Sequence, residues 1–522
     1  MFSLLLAGST FVGAVYAGSN YSTSLAGSNG STSLAGTTVT TDYGTFTYSE
    51  ASACACSQLS TSYPEHLYFP NTSNYTYYNL EAWDIRTNTN PACIFSPVNA
   101  DQVAAGVGII STCDAQFAIR GGGHMNFPGA NTINAGVVVA LAGLNGLQIS
   151  ADNTTVDVGP GNRWYDVYSY LEPYGRVVIG GRLKTIGVPG LTLIGGVHYF
   201  NNKYGFAMDN VVNYDVVLGN GTQVKASADC NPDLFWALKG GANNFGVVTK
   251  FTLNTFDIPL VSTTLQFFNG SGVEAFLQAA CDLSANNDPS IAAGAVITTT
   301  YNATTKALTA SLIGVQAGTE SPPSRFENFT AIPAVRSINN VSSMATFAAQ
   351  LDSPLQMLRI EFAVHAMKPN GTVLYQMWQM WKAAVDDIKD VVGLYPTFVA
   401  NIDPKSANTI AKTNGIGNVW GRDDTESSIW WQMSTGWDLA QDDLRMTTWI
   451  QKVSGEIQKF AIANNVSSEE TDFTYMGDAG EWQNPFATMP AENVEKMLTI
   501  RDKYDAGGAF SRLNWGGFKL PY

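Results

Sequence analysis

The sequence predicts an α+β chain of two domains. Three observations predict it. At 522 residues and 45% apolar content, the chain is too long for one hydrophobic core and apolar enough to fill more than one. Between residues 51 and 259, short β-branched runs alternate with helical patterns and glycine-rich turns. From 260 to 466 the texture changes to longer alternating stretches separated by amphipathic ones, which reads as an antiparallel sheet flanked by helices.

The first 17 residues, "MFSLLLAGSTFVGAVYA", are an apolar run too short to span a bilayer, ending in the small-residue pattern Val15-Tyr16-Ala17. We expect an export signal cleaved after Ala17. Residues 18–50 are rich in Ser, Thr and Gly and repeat "STSLAG" twice, so a flexible low-complexity arm is expected, with order beginning near Ala51. Then "DQVAAGVGIISTC" predicts a helix, "FAIRGGG" a strand entering a turn, and "AGVVVALAGL" a buried strand. "TTVDVGPGNRWYDVYSYLEPYG" predicts a strand, a turn and an amphipathic helix, and "DNVVNYDVVLGNGTQVKAS" a hairpin turning at Asn220-Gly221. In the second domain, "AAGAVITTTYNATTKALTASLIGV" and "QMLRIEFAVHAM" read as strands, and "VLYQMWQMWKAAVDDIKDVV" and "LRMTTWIQKVSGEIQKFAIAN" as helices. A last helix over "AENVEKMLTIRDKY" stops at Asp505-Ala506-Gly507-Gly508.

Six cysteines lack the paired spacing of a zinc site, so one or more disulfides are expected in an oxidising compartment. Cys54 and Cys56 are too close to bond each other comfortably, so at least one should reach a distant partner such as Cys113. Twelve Asn-x-Ser/Thr acceptors, from Asn20 to Asn465, fit a secreted glycoprotein. A formal net charge of -15 offers no basic surface for phosphates, which argues against a nucleic-acid partner. Four scattered histidines and no clustered cysteines give no motive for a metal site. The dinucleotide fingerprint, the Walker A loop, H-E-x-x-H and the G-x-S-x-G elbow are all absent.

What remains is "IRGGGHMNFPG", a histidine placed on bare backbone, together with "VGPGNRWYDVYSYL", "TIGVPGLTLIGGVHYFNNKYGFAMDNVVNYDVVLGNG", "NPDLFWALKGGANNFGVVTKF", "YMGDAG" and "VEKMLTIRDKYDAGGAFSRLNWGGFKL". In this order, across nearly the whole chain after residue 50, these blocks resemble the fungal secreted berberine-bridge-enzyme-like FAD-linked oxidases of the vanillyl-alcohol-oxidase type. The resemblance implies a PCMH-type FAD-binding domain of two α+β subdomains over 51–259, a substrate-binding domain over 260–466, and a segment over 467–522 that returns to the FAD domain.

It implies FAD bonded covalently to His124, with Arg120, Gly121, Gly122, Gly123 and Met125 along the pyrophosphate. Glycines there let backbone N–H groups face phosphate oxygens. Gly187, Val188, Gly190, Gly195 and Gly196 match a second cofactor loop, in which Pro189 and Ile194 replace the usual glycines. Asp209, Asn210 and Val211 match the stretch lining the flavin, and Gly246, Val247 and Val248 the strand on the adenine side. Relatives often carry a second, cysteine tether; Leu183 stands at that position here, so one covalent bond is expected.

For the base, the family often has Y-x-N-Y, where this chain has Tyr475-Met476-Gly477-Asp478. Asp478 is the first candidate, as a carboxylate whose pKa desolvation could raise, and Tyr475 the second. Trp420, Trp430, Trp431 and Trp437 read as packing more than as a substrate wall, and His365 as core more than cavity. The implied activity is hydride transfer from a small organic substrate to flavin, with dioxygen as acceptor, released peroxide and no membrane partner after signal cleavage. Oxidation or oxidative cyclisation of a secondary metabolite is the expected reaction; carbohydrate oxidation and a non-catalytic flavin-binding glycoprotein are the alternatives.

Overall fold

The computed structural model describes residues 37–41 and 44–521, apart from 287, 352–354, 357, 423 and 471. The expected export signal and the first half of the expected arm lie outside these residues. The rest of the arm departs from expectation: Thr37–Thr41 and Gly44–Tyr48 pair as an antiparallel hairpin. Threonines interleaved with Val39, Phe46 and Tyr48 carry strand propensity that overall composition hides.

A first subdomain forms around a four-stranded sheet in the order Leu67–Tyr68, Cys93–Phe95, Val137–Ala140, Phe117–Arg120, the last three parallel. Parallel pairing demands a crossover, supplied by the helix Ala100–Thr112, which Asn99 opens by accepting from the N–H of Gln102. The helix Glu50–Ser62 is stapled to this layer by the disulfides Cys54–Cys113 and Cys56–Cys93. Cys230 is exposed and unpaired, and Cys281 is buried and unpaired. A second subdomain is a five-stranded antiparallel sheet ordered Gln223–Ser227, Val211–Val217, Val247–Asn254, Thr155–Val158, Leu147–Ile149, with the helix Trp164–Leu171 nearby in sequence.

The third layer is a seven-stranded antiparallel sheet: Arg336–Ser342, Val261–Phe268, Leu308–Ala317, Ala293–Tyr301, Tyr395–Asp403, Ser428–Trp437, Arg359–Met367. Its two faces are buried differently. Ile297, Leu312, Trp431 and Met433 pack in one core with the helices Val273–Ala285, Gly371–Val385 and Asp443–Ala463. Val296, Ile313, Val364 and Trp430, one residue out of step, join the core shared with the five-stranded sheet. Period-two alternation therefore makes this sheet the roof over whatever lies between the domains. The tail then comes back: Asn514 donates to the carbonyl of Phe117, Lys519 to those of Asn243 and Phe510, and Phe518 meets Phe127 edge-on.

The Cys56–Cys93 bridge closes a loop of 37 residues in sequence. Replacing both cysteines with serine should destabilise the oxidised protein by about 3–4 kcal/mol on a loop-entropy argument. Urea unfolding with and without reductant checks this, the reductant effect being smaller in the double variant.

Candidate active site

The site begins where two turns of main chain meet. The strand Phe117–Arg120 ends in Gly121–Gly123, and a second turn leads through Thr185 and Ile186 into Gly187 and the short helix Val188–Leu193. A Cβ on Gly122 would stand 2.4 Å from the nitrogen of Gly187, and one on Gly187 2.3 Å from the nitrogen of Gly122. Gly121 is equally pressed, its missing Cβ 2.3 Å from Pro189 Cγ, and Gly123 has φ 68° with its missing Cβ 2.1 Å from the Glu81 carbonyl. These three glycines are thus required first by the protein's contact with itself. Gly190 is the reverse case: it lines the cavity, yet a Cβ there would meet no atom within 4 Å.

Arg163 fastens the two turns together. Its Nη1 donates to the carbonyl of Gly122 at 2.9 Å and to that of Thr185, while Nη2 pairs with Glu81 Oε2 at 2.8 Å. Next to this clasp, His124 Nε2 lies 3.0 Å from Thr185 Oγ1 and the imidazole stacks on Trp83 at 5.6 Å. Burial, assisted by the charge of Arg163, pushes the His124 pKa down to about 3, so the ring is neutral and one of its nitrogens is unprotonated.

A cavity of about 320 Å³ runs from these turns to the seven-stranded sheet. Of the residues singled out in the sequence, Gly121, Gly122, Gly123, His124 and Met125 line it from the first turn, and Gly187 and Gly190 from the second. Gly246, Val247 and Val248 line it from the returning strand, and Tyr475 and Asp478 from the C-terminal segment. Leu183 also faces it.

Seven others do not line it. Arg120 is the strand neighbour of cavity-lining Ile119 and so points to the opposite face, where its Nη1 and Nη2 are buried without hydrogen bonds. Val188 is fully buried in the protein core. Gly195 and Gly196 give room to Trp420 and Leu191, and their carbonyls accept from Met208 and Ala207. Asp209 lies off the cavity wall: it accepts from the N–H of Phe206 and from Asn418 Nδ2, both at 2.9 Å, and faces buried Lys239. Asn210 donates to the carbonyls of Tyr204 and Phe206, and Val211 begins a sheet strand. These residues shape the turn that carries the wall.

On the wall formed by the C-terminal segment, Asp478 Oδ2 accepts from Asn401 Nδ2 at 3.0 Å, and Asn401 Oδ1 accepts from Arg182 Nη2 at 3.2 Å. Burial raises the Asp478 pKa to about 6, against the opposing pull of Arg182 and of the Asn401 hydrogen bond. Tyr475 is buried against Trp430 at 5.1 Å and Trp420 at 5.8 Å, and burial followed by the Asp478 charge raises its phenol well above the ordinary value. Trp420, Trp430, Trp431 and Trp437 stay off the cavity wall and are almost wholly buried. His365 stacks on Trp431 at 5.1 Å and pairs with Asp472 at 2.8 Å, also away from the cavity.

Sequence reasoning missed Arg163, Thr185, Trp83, Phe362, Asn401 and Arg182. The spacing of Arg182 and Thr185 around Leu183 in the second glycine turn was a usable signal. Asn401 gave none, since it reaches the site only through the register of a strand in the other domain.

The FAD binding domain family matches residues 91–227. The chain is 32% identical over 494 residues to the FAD-dependent monooxygenase prx3 of Penicillium roqueforti, covering 90% of this chain and 94% of that protein. It is 29% identical over 472 residues to the bifunctional solanapyrone synthase of Alternaria solani, covering 89% of each. Its fold matches that of glucooligosaccharide oxidase from Acremonium strictum, a protein described by the functional roles of its 6-S-cysteinyl, 8α-N1-histidyl FAD, with a TM-score of 0.70 at 19% identity over 90% of this chain and 98% of that one.

The glycine geometry yields a paired prediction. Gly122→Ala forces apart two backbones in contact and should cost about 1–3 kcal/mol of stability, whereas Gly190→Ala should leave stability near the parent value and weaken FAD retention. Thermal unfolding alongside the ratio of flavin to protein absorbance measures both effects. Equal loss of stability in the two variants would contradict the assignment.

Proposed function

We propose, for a chain that belongs to the berberine-bridge-enzyme-like FAD-linked oxidoreductases, that it is a secreted oxidase which holds FAD through a single covalent bond to His124 and oxidises a small organic metabolite beside Asp478. The observation that carries this reading is one cavity lined both by the neutral, glycine-flanked imidazole of His124 and by the carboxyl of Asp478.

The residues present fit the cofactor. Gly121–Gly123, Gly187 and Gly190 would receive it without intervening side chains, and the open space at Gly190 is reserved from the protein's own atoms. His124, oriented by Thr185 and Trp83, has the unprotonated nitrogen that a carbon–nitrogen bond requires. Leu183 has no thiol to add the second bond named for the Acremonium strictum protein. When bound, FAD supplies a two-electron acceptor for a hydride and passes the electrons to dioxygen, giving hydrogen peroxide.

The chain's own part is proton handling and positioning. Asp478 takes a proton from the substrate's hydroxyl or acidic C–H, and its raised pKa places it near the middle of the working pH range. Asn401 fixes the carboxylate by donating to Oδ2, leaving Oδ1 for the substrate. Tyr475 remains a phenol and supports the wall with its ring. Trp83, Leu183, Val296 and Phe362 make much of the remaining wall, a lining that suits an aromatic or polyketide-like metabolite better than a sugar's ring of hydroxyls. Export is supported by the two disulfides, the N-terminal apolar run and the twelve glycan acceptors.

Acid precipitation of the purified protein should carry the yellow colour into the pellet, and His124→Ala should leave it in the supernatant. Anaerobic flavin bleaching should rise with pH through an apparent pKa near 6, because Asp478 accepts a proton only when ionised. Asp478→Asn should slow bleaching by about 10²–10⁴-fold and abolish that limb. A colourless protein from a riboflavin-replete host sinks the cofactor assignment, and unchanged bleaching in Asp478→Asn removes the base. A panel of sugars, aromatic alcohols and phenols, read by peroxide release, identifies the substrate class.

A further inference from the structure

Among the described residues, Arg182 is the one guanidinium on the cavity wall. It sits between Gly181 and Leu183 on the second glycine turn, half-buried, and its hydrogen bonds are long: Nη1 to the Ala295 carbonyl at 3.4 Å and Nη2 to Asn401 Oδ1 at 3.2 Å. Asp478 feels its charge through space, yet the Asp478 carboxylate takes its hydrogen bond from Asn401, and no ion pair joins the two. Around it His198, Tyr199 and Tyr475 are all held neutral, primarily by burial. The neighbouring wall is Leu183, Val296, Phe362 and Trp83.

A positive charge that no carboxylate contacts directly in a largely apolar cavity is only partly compensated, and the shortfall is costly. Its cost falls when an anion enters. A guanidinium presents a planar fork of donors that matches a carboxylate, or two oxygens of a conjugated enolate. Both partners of Arg182 are carbonyl oxygens held at long range, so donors remain to face the cavity.

We propose that Arg182 is a specificity-determining residue that binds an oxyanion of the substrate, a carboxylate or the conjugate base of an acidic enol or phenol, and so sets the reacting group against Asp478. This rests on reading the Asp478 end of the cavity as the substrate's place. The arrangement also orders events: Asn401 touches both Arg182 and Asp478, so an anion that draws on the guanidinium is sensed at the carboxylate through a single amide.

The test uses the intact yellow holoenzyme and binding alone, read as perturbation of the flavin absorbance near neutral pH. Cinnamate is compared with cinnamamide, and 4-hydroxycoumarin with 4-methoxycoumarin, so the two pairs distinguish carboxylate from enolate as the source of the charge. At least one anion should bind about tenfold or more tightly than its neutral partner. Arg182→Gln should erase that preference with the flavin still attached, and Arg182→Lys should restore part of it.

Neutral partners binding as tightly as the anions, no response to either anion, or a preference that persists in Arg182→Gln each overturns the proposal. If Arg182→Gln instead shifts the ligand-free flavin reduction potential while the preference persists, Arg182 is a counter-ion of the cofactor and the proposal is wrong. The wild-type comparison stands even where a variant fails to fold. Failure of the oxidase reading looks different, as a protein that is colourless or that no compound reduces, whereas a yellow protein without turnover still reports anion binding.

Discussion

The contact between the backbones of Gly122 and Gly187 is the constraint from which the site follows. Neither residue tolerates a Cβ, because each would drive it into the other's main chain. Closing two turns this tightly leaves peptide groups in need of partners, and Arg163 meets that need by donating to the carbonyls of Gly122 and Thr185 while anchoring on Glu81. Two positions on from Gly122, His124 is then fixed in place. Thr185, held by the same arginine, gives the imidazole its hydrogen bond. A loop built of glycines has many conformations open to it, and here mutual contact with the second turn restricts them.

Electrostatics along the cavity follow from the same burial. With little water to solvate charge, the imidazole of His124 is neutral and the carboxyl of Asp478 holds its proton to higher pH than an exposed aspartate. Burial acts in opposite directions on the two groups because it always penalises the charged form. The result is an unprotonated imidazole and a carboxyl of raised pKa on the wall of one cavity. Arg182 tempers the shift of Asp478 without neutralising it, since Asn401 stands between them as a hydrogen-bonded spacer.

The roof of the site depends on sheet alternation. Trp430 and Trp431 are adjacent in sequence and belong to different cores, one shared with the FAD-binding half and one with the flanking helices. Trp430 therefore supports Tyr475 from behind, while Trp431 stacks on His365 on the other side of the sheet. The tryptophans build a buried backing, and Trp83, Phe362 and Val296 form part of the cavity surface. The returning tail completes the wall by bringing Gly517 and Phe518 under it.

Local pattern alone determined much of this protein. Runs such as Val137–Ala140 and Trp164–Leu171 carry their strand and helix periodicity within themselves, and the Asn220-Gly221 turn announces its hairpin. The cavity-lining positions of Gly121, Gly122, Gly123, His124 and Asp478 were legible because glycines, one histidine and one acid in fixed order are chemically conspicuous. Composition misled at Thr37–Tyr48, where threonine's strand preference outweighs the low complexity of the segment. Motif position misled at Asp209 and Asn210, whose polar groups cap their own turn, and at Arg120, which strand alternation turns away from the cavity. Only the tertiary structure could place Asn401 and Arg182, 219 positions apart, on either side of one hydrogen bond, or show that Gly122 is glycine because of Gly187. Those facts arise from the register of one sheet over another and from two main chains touching, and neither has a local counterpart in the order of residues.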